Sequence, residues 1–139
     1  MDSIMSQVAS GSFEVTLTPQ PAGDHPDDSA VGRLTIDKQF HGDLSATSRG
    51  QMLAARTAVD NSAGYVAIER VTGALGGRSG SFVLQHTGVM DRGASQLQIT
   101  IVPDSATDEL AGLAGTMSIG QQDGKHSYTL RYTLPDTAS

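Results

Sequence analysis

The stretch YVAIERVTGALGGRSGSFVLQHTGVM, residues 65–90, decides the fold, because it predicts two long strands joined by a tight glycine turn. Successive side chains of a strand point to opposite faces of a sheet, so residues of one parity share a face. On the first strand the mostly apolar face, which should point at the core, holds Tyr65, Ala67, Glu69, Val71, Gly73 and Leu75. On the second strand the corresponding face holds Phe82, Leu84, His86, Gly88 and Met90.

The register of this hairpin depends on which two residues form the turn. With Gly77-Arg78 at the tip, a Gly-X pair that suits a type II′ turn, Glu69 lies opposite His86. The same register gives two further pairs, Val71 with Leu84 and Gly73 with Phe82. With Gly76-Gly77 at the tip, Glu69 and His86 become diagonal neighbours, which long side chains still bridge. Either turn therefore puts a carboxylate and an imidazole on one inward face.

Alternating apolar and polar residues predict further strands on both sides of this hairpin, at residues 12–18, 31–40, 44–52 and 96–102. Their inward faces hold Leu34, Ile36, Lys38 and Phe40, then Leu44, Ala46, Ser48, Gly50 and Met52, then Leu97, Ile99 and Ile101. Residues 19–29 predict a polar, proline-rich loop that contains His25. Residues 53–62 fit either a helical turn or the end of a long strand.

The last predicted hairpin turns at Asp123-Gly124, a pair typical of a type I′ turn. Its first strand has Leu113, Gly115, Met117 and Ile119 inward. This turn predicts three cross-strand pairs, which are Met117 with Leu130, Ile119 with Tyr128 and Gly115 with Tyr132.

The strands, their short connections and the near absence of helix predict an all-β fold. An even number of strands in a meander can close on itself and remove exposed edges, which favours an eight-stranded antiparallel up-and-down β-barrel over a sandwich. We predict a flexible N-terminus at 1–10, a single barrel domain at 11–135 and a C-terminal tail at 136–139. A barrel of this size is either filled by side chains or wide enough for one small ligand.

Composition excludes several classes of function. The formal net charge of −6, with no cluster of Lys or Arg, argues against nucleic acid or an anionic membrane as a partner. The chain has no cysteine, hence no disulfide and no Cys-based metal site. No apolar run reaches the ~20 residues of a membrane span. The first residues lack the features of a secretory signal, so we expect a cytoplasmic protein whose natural start is Met1 or Met5.

Six segments spread over the chain carry a resemblance to a known family. They are GSFEV (11–15), FHGDL (40–44), GYVAIE (64–69), GSFVLQHTG (80–88), LAGTM (113–117) and GKHSY (124–128). In these motifs and their order the chain resembles the DUF3224 family of bacterial proteins of unknown function. The resemblance implies an allene-oxide-cyclase-like β-barrel, and it implies no activity, because fold is not function.

Glu69 and His86 are the candidate catalytic residues. A carboxylate on an apolar inward face loses hydration, which raises its pKa, whereas a nearby imidazolium opposes that shift. A carboxylate with a raised pKa can act as a general base near neutral pH. The alternative interpretation is a buried, hydrogen-bonded pair that only fixes the barrel.

Candidate ligand-binding residues share the inward parity, and they are Tyr65, Lys38, Ser48, Tyr128 and Tyr132. For Lys38 the alternatives are an inward partner for an anion or carbonyl, a bulge that turns it outward, or an ammonium that reaches the rim. His126 is predicted at a mouth of the barrel, and His41 and His25 are predicted in exposed loops. Two spaced ligands make a poor metal site, so we expect neither a metal nor a cofactor.

Three functions remain open from the sequence. The first is a cofactor-free enzyme of isomerase, cyclase or lyase type, with Glu69 as the base and His86 as its partner. The second is a non-catalytic protein that binds a small, mostly apolar molecule in the barrel lumen. The third is a filled structural barrel. Because barrels of this kind often associate through their outer faces, we also expect a homo-oligomer.

Overall fold

The chain forms a closed barrel of eight antiparallel strands, which confirms the predicted fold. The structure, a computed structural model, describes residues 6–21 and 30–135. Each strand pairs with its neighbours in sequence, and β1 pairs with β8 to close the sheet. The strands are β1 (Ser6–Pro19), β2 (Val31–Gly42), β3 (Leu44–Arg56), β4 (Ala63–Leu75), β5 (Arg78–Asp91), β6 (Ala94–Ile101), β7 (Ala114–Gln122) and β8 (Lys125–Thr133). One short 3₁₀-helix, Asp108–Leu110, lies between β6 and β7.

The central hairpin turns at Gly76-Gly77, so the predicted Gly77-Arg78 turn is wrong and the alternative is confirmed. The φ angles of Gly76 and Gly77 are 57° and 87°, and a type I′ turn requires positive φ at both central residues. Two consecutive glycines meet that requirement without steric cost, and this turn matches the twist of the flanking strands. The observed pairs are Val71 with Phe82, Glu69 with Leu84, Ala67 with His86 and Gly73 with Gly80.

The last hairpin has the predicted register. Asp123 and Gly124 have φ angles of 54° and 77°, as a type I′ turn demands. The three predicted pairs are all observed, Met117 with Leu130, Ile119 with Tyr128 and Gly115 with Tyr132. An Asp-Gly pair between two alternating strands was therefore sufficient to predict the register of this hairpin.

The first and third strands extend by four residues or more beyond their predicted bounds. β1 begins at Ser6, within the predicted flexible N-terminus, because residues 6–13 pair with β8 and bury Ala9. β3 continues to Arg56, because residues 53–56 pair with the start of β4 rather than forming a helical turn. The remaining predictions for residues 1–5, for the loop at 22–29 with His25, and for the tail at 136–139 lie outside the described residues.

The two ends of the barrel differ in packing. Towards the turns β2–β3 and β4–β5, side chains fill the interior, among them Phe40, Leu44, Leu75, Phe82, Tyr128 and Leu130. The opposite end of the barrel holds the β3–β4, β5–β6 and β7–β8 connections. Three predicted core residues are partly exposed there: Met90 (39%), Leu97 (40%) and Ile119 (36%). They have the inward parity but lie near strand ends, where no further layer covers them. We call this the open end.

No helix in the described part of the chain is long and apolar enough to cross a membrane.

Candidate functional site

A polar cluster centred on Glu69 lies inside the barrel between its packed half and its open end. Glu69 is 0% exposed, because it shares the inward face of β4 with Ala67 and Val71. Its Oε2 accepts hydrogen bonds from Lys38 Nζ at 2.8 Å and from His86 Nε2 at 2.6 Å. Its Oε1 accepts one from Ser48 Oγ at 2.7 Å. The carboxylate is thus the common acceptor of the cluster.

The register of adjacent strands brings these residues together. Lys38 on β2 lies opposite Ser48 on β3, and Glu69 follows on β4. Because Ala67, not Glu69, lies opposite His86, the acid reaches the imidazole diagonally across β4 and β5. The contact was predicted for either turn, and the Gly76-Gly77 register decides that it is diagonal.

Lys38 points into the barrel, so the bulge and rim interpretations are wrong. Its side chain is 7% exposed and forms an ion pair with Glu69. Its Nζ also lies over the rings of Phe13 and Phe40, 5.1 and 5.7 Å from their centroids. An ammonium over a ring face is attracted by the ring quadrupole. The Glu69 carboxylate and the two rings together offset the cost of removing the Lys38 ammonium from water.

The pKa of Glu69 is lowered to about 2, so the predicted rise is wrong. Burial does raise the pKa of this carboxyl, but four effects outweigh burial. They are the hydrogen bond from His86, the positive charge of Lys38, the hydrogen bond from Lys38 and the hydrogen bond from Ser48. Glu69 is therefore a permanent anion near neutral pH, which suits it to orient and neutralise cations and not to abstract protons.

His86 has one nitrogen fixed and one available. An ionised carboxylate only accepts hydrogen bonds, so Nε2 must carry its hydrogen and donate it to Glu69. Nδ1 lies 3.4 Å from the Tyr65 hydroxyl, which donates to it when the ring is neutral. Burial, and then the charge of Glu69, raise the pKa of Tyr65 above its ordinary value of 10.0. Tyr65 thus stays protonated and links His86 to the open end.

A cavity of about 210 Å³ lies at the open end, on the far side of Tyr65 from Glu69. The Tyr65 ring packs against the backbone of Gly88, and a Cβ at Gly88 would collide with it. The cavity is lined by Met52, Ala54, Ala55, Arg56, Ala63, Gly64, Tyr65, Gly88, Val89, Met90, Ser95, Gln96 and Leu97. The lining is mainly apolar, as in most ligand sites, and neither Glu69 nor His86 belongs to it.

The structure brings together five of the predicted site residues: Lys38, Ser48, Tyr65, Glu69 and His86. Tyr128 lies elsewhere, since its hydroxyl accepts from the Leu44 amide at 2.9 Å and donates to the His41 carbonyl at 2.9 Å. The Tyr132 hydroxyl donates to the Gln7 side chain at 3.3 Å. Neither tyrosine lines the cavity, and both hydroxyls form hydrogen bonds within the barrel.

The two described histidines outside the cluster, His41 and His126, form no metal site. His41 is exposed and pairs with Glu14 at 2.8 Å, and His126 stacks on Phe13 with ring centroids 5.1 Å apart. Within residues 6–21 and 30–135, no group of three His, Cys, Asp or Glu side chains could hold a metal ion.

Sequence reasoning missed Ala54 and Arg56, which complete the cavity wall on β3. They continue the inward parity of Ser48, Gly50 and Met52, but residues 53–62 were open to a helical interpretation. Extending the alternation by four residues would have found them.

Comparisons with known proteins agree on a family but on no activity. The model of the DUF3224 family, described as a protein of unknown function, matches residues 9–132. The crystal structure of a protein with unknown function from this family, from Shewanella oneidensis MR-1, is 45% identical in sequence with a TM-score of 0.86. The match covers 97% of this chain and 100% of that one. No curated protein matches the chain.

Proposed function

The chain belongs to the DUF3224 family of proteins of unknown function, and we propose that it binds a small, mostly apolar molecule in the cavity at the open end. The observation that carries this proposal is an apolar cavity whose wall contains Tyr65, the one side chain that connects it to the buried polar cluster. Apolar lining with a few placed polar groups is the usual composition of a ligand site.

The size of the cavity limits the ligand. An apolar cavity of ~150 Å³ is large enough to stay dry and bind benzene. The cavity here measures about 210 Å³, which accommodates one ring with a small substituent or a short branched chain. Burying apolar surface of a ligand stabilises the complex by about 25 cal/mol per Å² before the costs of association.

We expect Ala54→Leu to abolish binding of fluorobenzene, because the added atoms occupy the cavity beside the Tyr65 ring. The measurement is the ¹⁹F NMR shift and line width of fluorobenzene titrated with the full-length protein. Thr72→Leu is the matched control, since it adds an apolar side chain at an exposed, outward position of β4. If fluorobenzene does not bind the parent protein, or if it binds the parent and Ala54→Leu equally, ligand binding in this cavity is contradicted.

A second candidate function is cofactor-free proton transfer, of isomerase, cyclase or lyase type. It is favoured by the contact between Tyr65 on the cavity wall and His86 Nδ1 behind it. A ligand C–H proton would pass to the Tyr65 oxygen while the Tyr65 proton passes to Nδ1. The ligand then carries the negative charge, and Glu69 balances the new imidazolium. In this arrangement His86 is the base and Glu69 positions it.

Proton abstraction from a benzisoxazole tests this second function. If the relay operates, His86→Gln and Tyr65→Phe each lower kcat by about a hundredfold or more, the usual contribution of a general base. Tyr132→Phe is the control, because it removes a hydroxyl outside the cavity. A parent protein no faster than buffer excludes proton transfer and leaves ligand binding without turnover.

The expected homo-oligomer stays a prediction. Aliphatic side chains are about half exposed on the outer face of β2–β5, namely Val31, Leu53, Val66, Ile68 and Val89. Contiguous exposed apolar patches often mark contact surfaces, so this face is where a contact between copies would be sought. The mass in solution, measured by light scattering, decides between a monomer and an oligomer.

A further inference from the structure

We propose that the ligand of the open-end cavity is a small apolar carboxylate, with a single ring or a short chain, whose carboxylate binds Arg56. This inference rests on the proposed function, because it assumes that the cavity holds a ligand. It adds the chemical class of that ligand and the residue that selects it.

Arg56 lies on the luminal face at the rim of the cavity. It is the last residue of β3, and the alternation along the strand puts it on the same face as Met52 and Ala54. All three line the cavity. Arg56 is the one charged side chain of that lining, whose remaining polar side chains are Tyr65, Ser95 and Gln96. A charge placed at the mouth of an apolar cavity favours a ligand with the opposite charge at one end.

The guanidinium of Arg56 has no carboxylate partner in the part of the chain that the structure describes. Arg49, by contrast, lies 3.7 Å from Asp37 on the outer face. The chain carries an excess of acidic residues, with a formal net charge of −6, yet none of those described lies within ion-pair distance of Arg56. A guanidinium presents a planar fork of donors that matches a carboxylate in a bidentate arrangement.

The length of the cavity fits a ring with one carboxylate. Ala54 lies opposite Tyr65, which forms the inner wall, and Arg56 lies two residues further along β3. Two residues of a strand span about 6.6 Å, comparable to the length of a benzoate-sized molecule. The ring would lie against the neighbouring side chains of Ala54 and Tyr65, and the carboxylate would lie at the rim.

A second charge on the ligand would be unfavourable. The inner wall consists of Met52, Ala54, Gly88 and the Tyr65 ring, which offer a buried charge no counter-charge. Behind Tyr65, the Lys38 ammonium is already paired with Glu69, so the polar cluster offers no free cation to a second negative charge. The cavity therefore favours a monoanion with an apolar body over a dicarboxylate or a phosphate ester.

Binding of 4-fluorobenzoate and fluorobenzene to the full-length protein, followed by ¹⁹F NMR, tests the inference. We expect 4-fluorobenzoate to bind more tightly, and Arg56→Gln to weaken its binding by about tenfold while fluorobenzene binds as before. Raised salt should weaken the binding of 4-fluorobenzoate alone. Arg92→Gln is the matched control, because Arg92 is an exposed arginine of the β5–β6 turn at the same end.

The outcomes separate this inference from the function on which it rests. If both probes bind and Arg56→Gln leaves their relative affinities unchanged, the carboxylate selectivity is wrong and ligand binding stands. If Arg92→Gln weakens 4-fluorobenzoate as much as Arg56→Gln, the attraction is a general field and the assignment of Arg56 is overturned. If neither probe binds, the proposed ligand binding fails, and the inference fails with it.

Discussion

Replacing Glu69 by leucine is expected to lower the free energy of unfolding by about 3–5 kcal/mol, because the change leaves the buried Lys38 ammonium without its counter-charge. Ser48 and His86 lose their acceptor at the same time. An uncompensated buried charge costs more than the pair contributes, since both ions were already desolvated. Urea denaturation followed by circular dichroism measures the loss.

The double variant Lys38→Met/Glu69→Leu identifies the origin of that loss. It removes both charges and leaves apolar side chains of similar size, a change that is often neutral or stabilising. We expect it to be more stable than Glu69→Leu alone. A double variant as unstable as the single one would show that the unpaired ammonium is not the cause.

Glu14→Leu supplies the matched control for Glu69→Leu. Glu14 also pairs with a basic side chain at 2.8 Å, but it and His41 are largely exposed to solvent. Exposed ion pairs contribute about 0–1 kcal/mol. The contrast between Glu14 and Glu69 therefore measures the effect of burial on the same residue type.

Acid is expected to remove about 3 kcal/mol of stability through Glu69 alone, because its pKa is about 2 in the folded chain against an ordinary value of 4.5. A depressed carboxyl pKa stabilises the fold above the unfolded pKa. As the pH falls from 4.5 towards 2, the unfolded state binds the proton first, and this contribution is lost.

The free energy of unfolding, measured between pH 5 and 2, tests this dependence. Other carboxylates titrate in the same window, so the quantity to compare is the slope of the parent against that of Glu69→Gln. We expect a distinctly shallower slope for Glu69→Gln than for the parent. Equal slopes for the parent and Glu69→Gln would contradict the lowered pKa of Glu69.

The chemistry of Glu69 shows where sequence reasoning reached its limit. Its inward position follows from strand alternation, which is a local property. Its pKa is lowered first by the hydrogen bond from His86, and then by Lys38 and Ser48, which are 31 and 21 residues away in sequence. With Lys38 and Ser48 left out, burial opposed only by the imidazole of His86 suggested a raised pKa and a general base. The functional interpretation changes because the neighbours on adjacent strands, and not the face of β4, decide the charge state.

The central hairpin shows a second limit. Gly76, Gly77 and Arg78 allow a turn at Gly76-Gly77 or at Gly77-Arg78. Moving the turn by one residue shifts every cross-strand partner by two residues, so both turns keep the apolar faces aligned. The hydrophobic pattern therefore could not choose between them. In the Asp123-Gly124 hairpin the turn chemistry allowed one choice, and the predicted register is the observed one.

The sequence by itself determined the meander of alternating strands, the closed barrel and the inward positions of Glu69 and His86, because strand alternation is a property of neighbouring residues. The inward position of Lys38 was decided by the tertiary structure. The tertiary structure alone decided which strand positions lie side by side. It thereby decided the ionised state of Glu69, the diagonal contact with His86 and the cavity beyond Tyr65. These features depend on distances between strands that are remote in sequence, which closure of the sheet fixes.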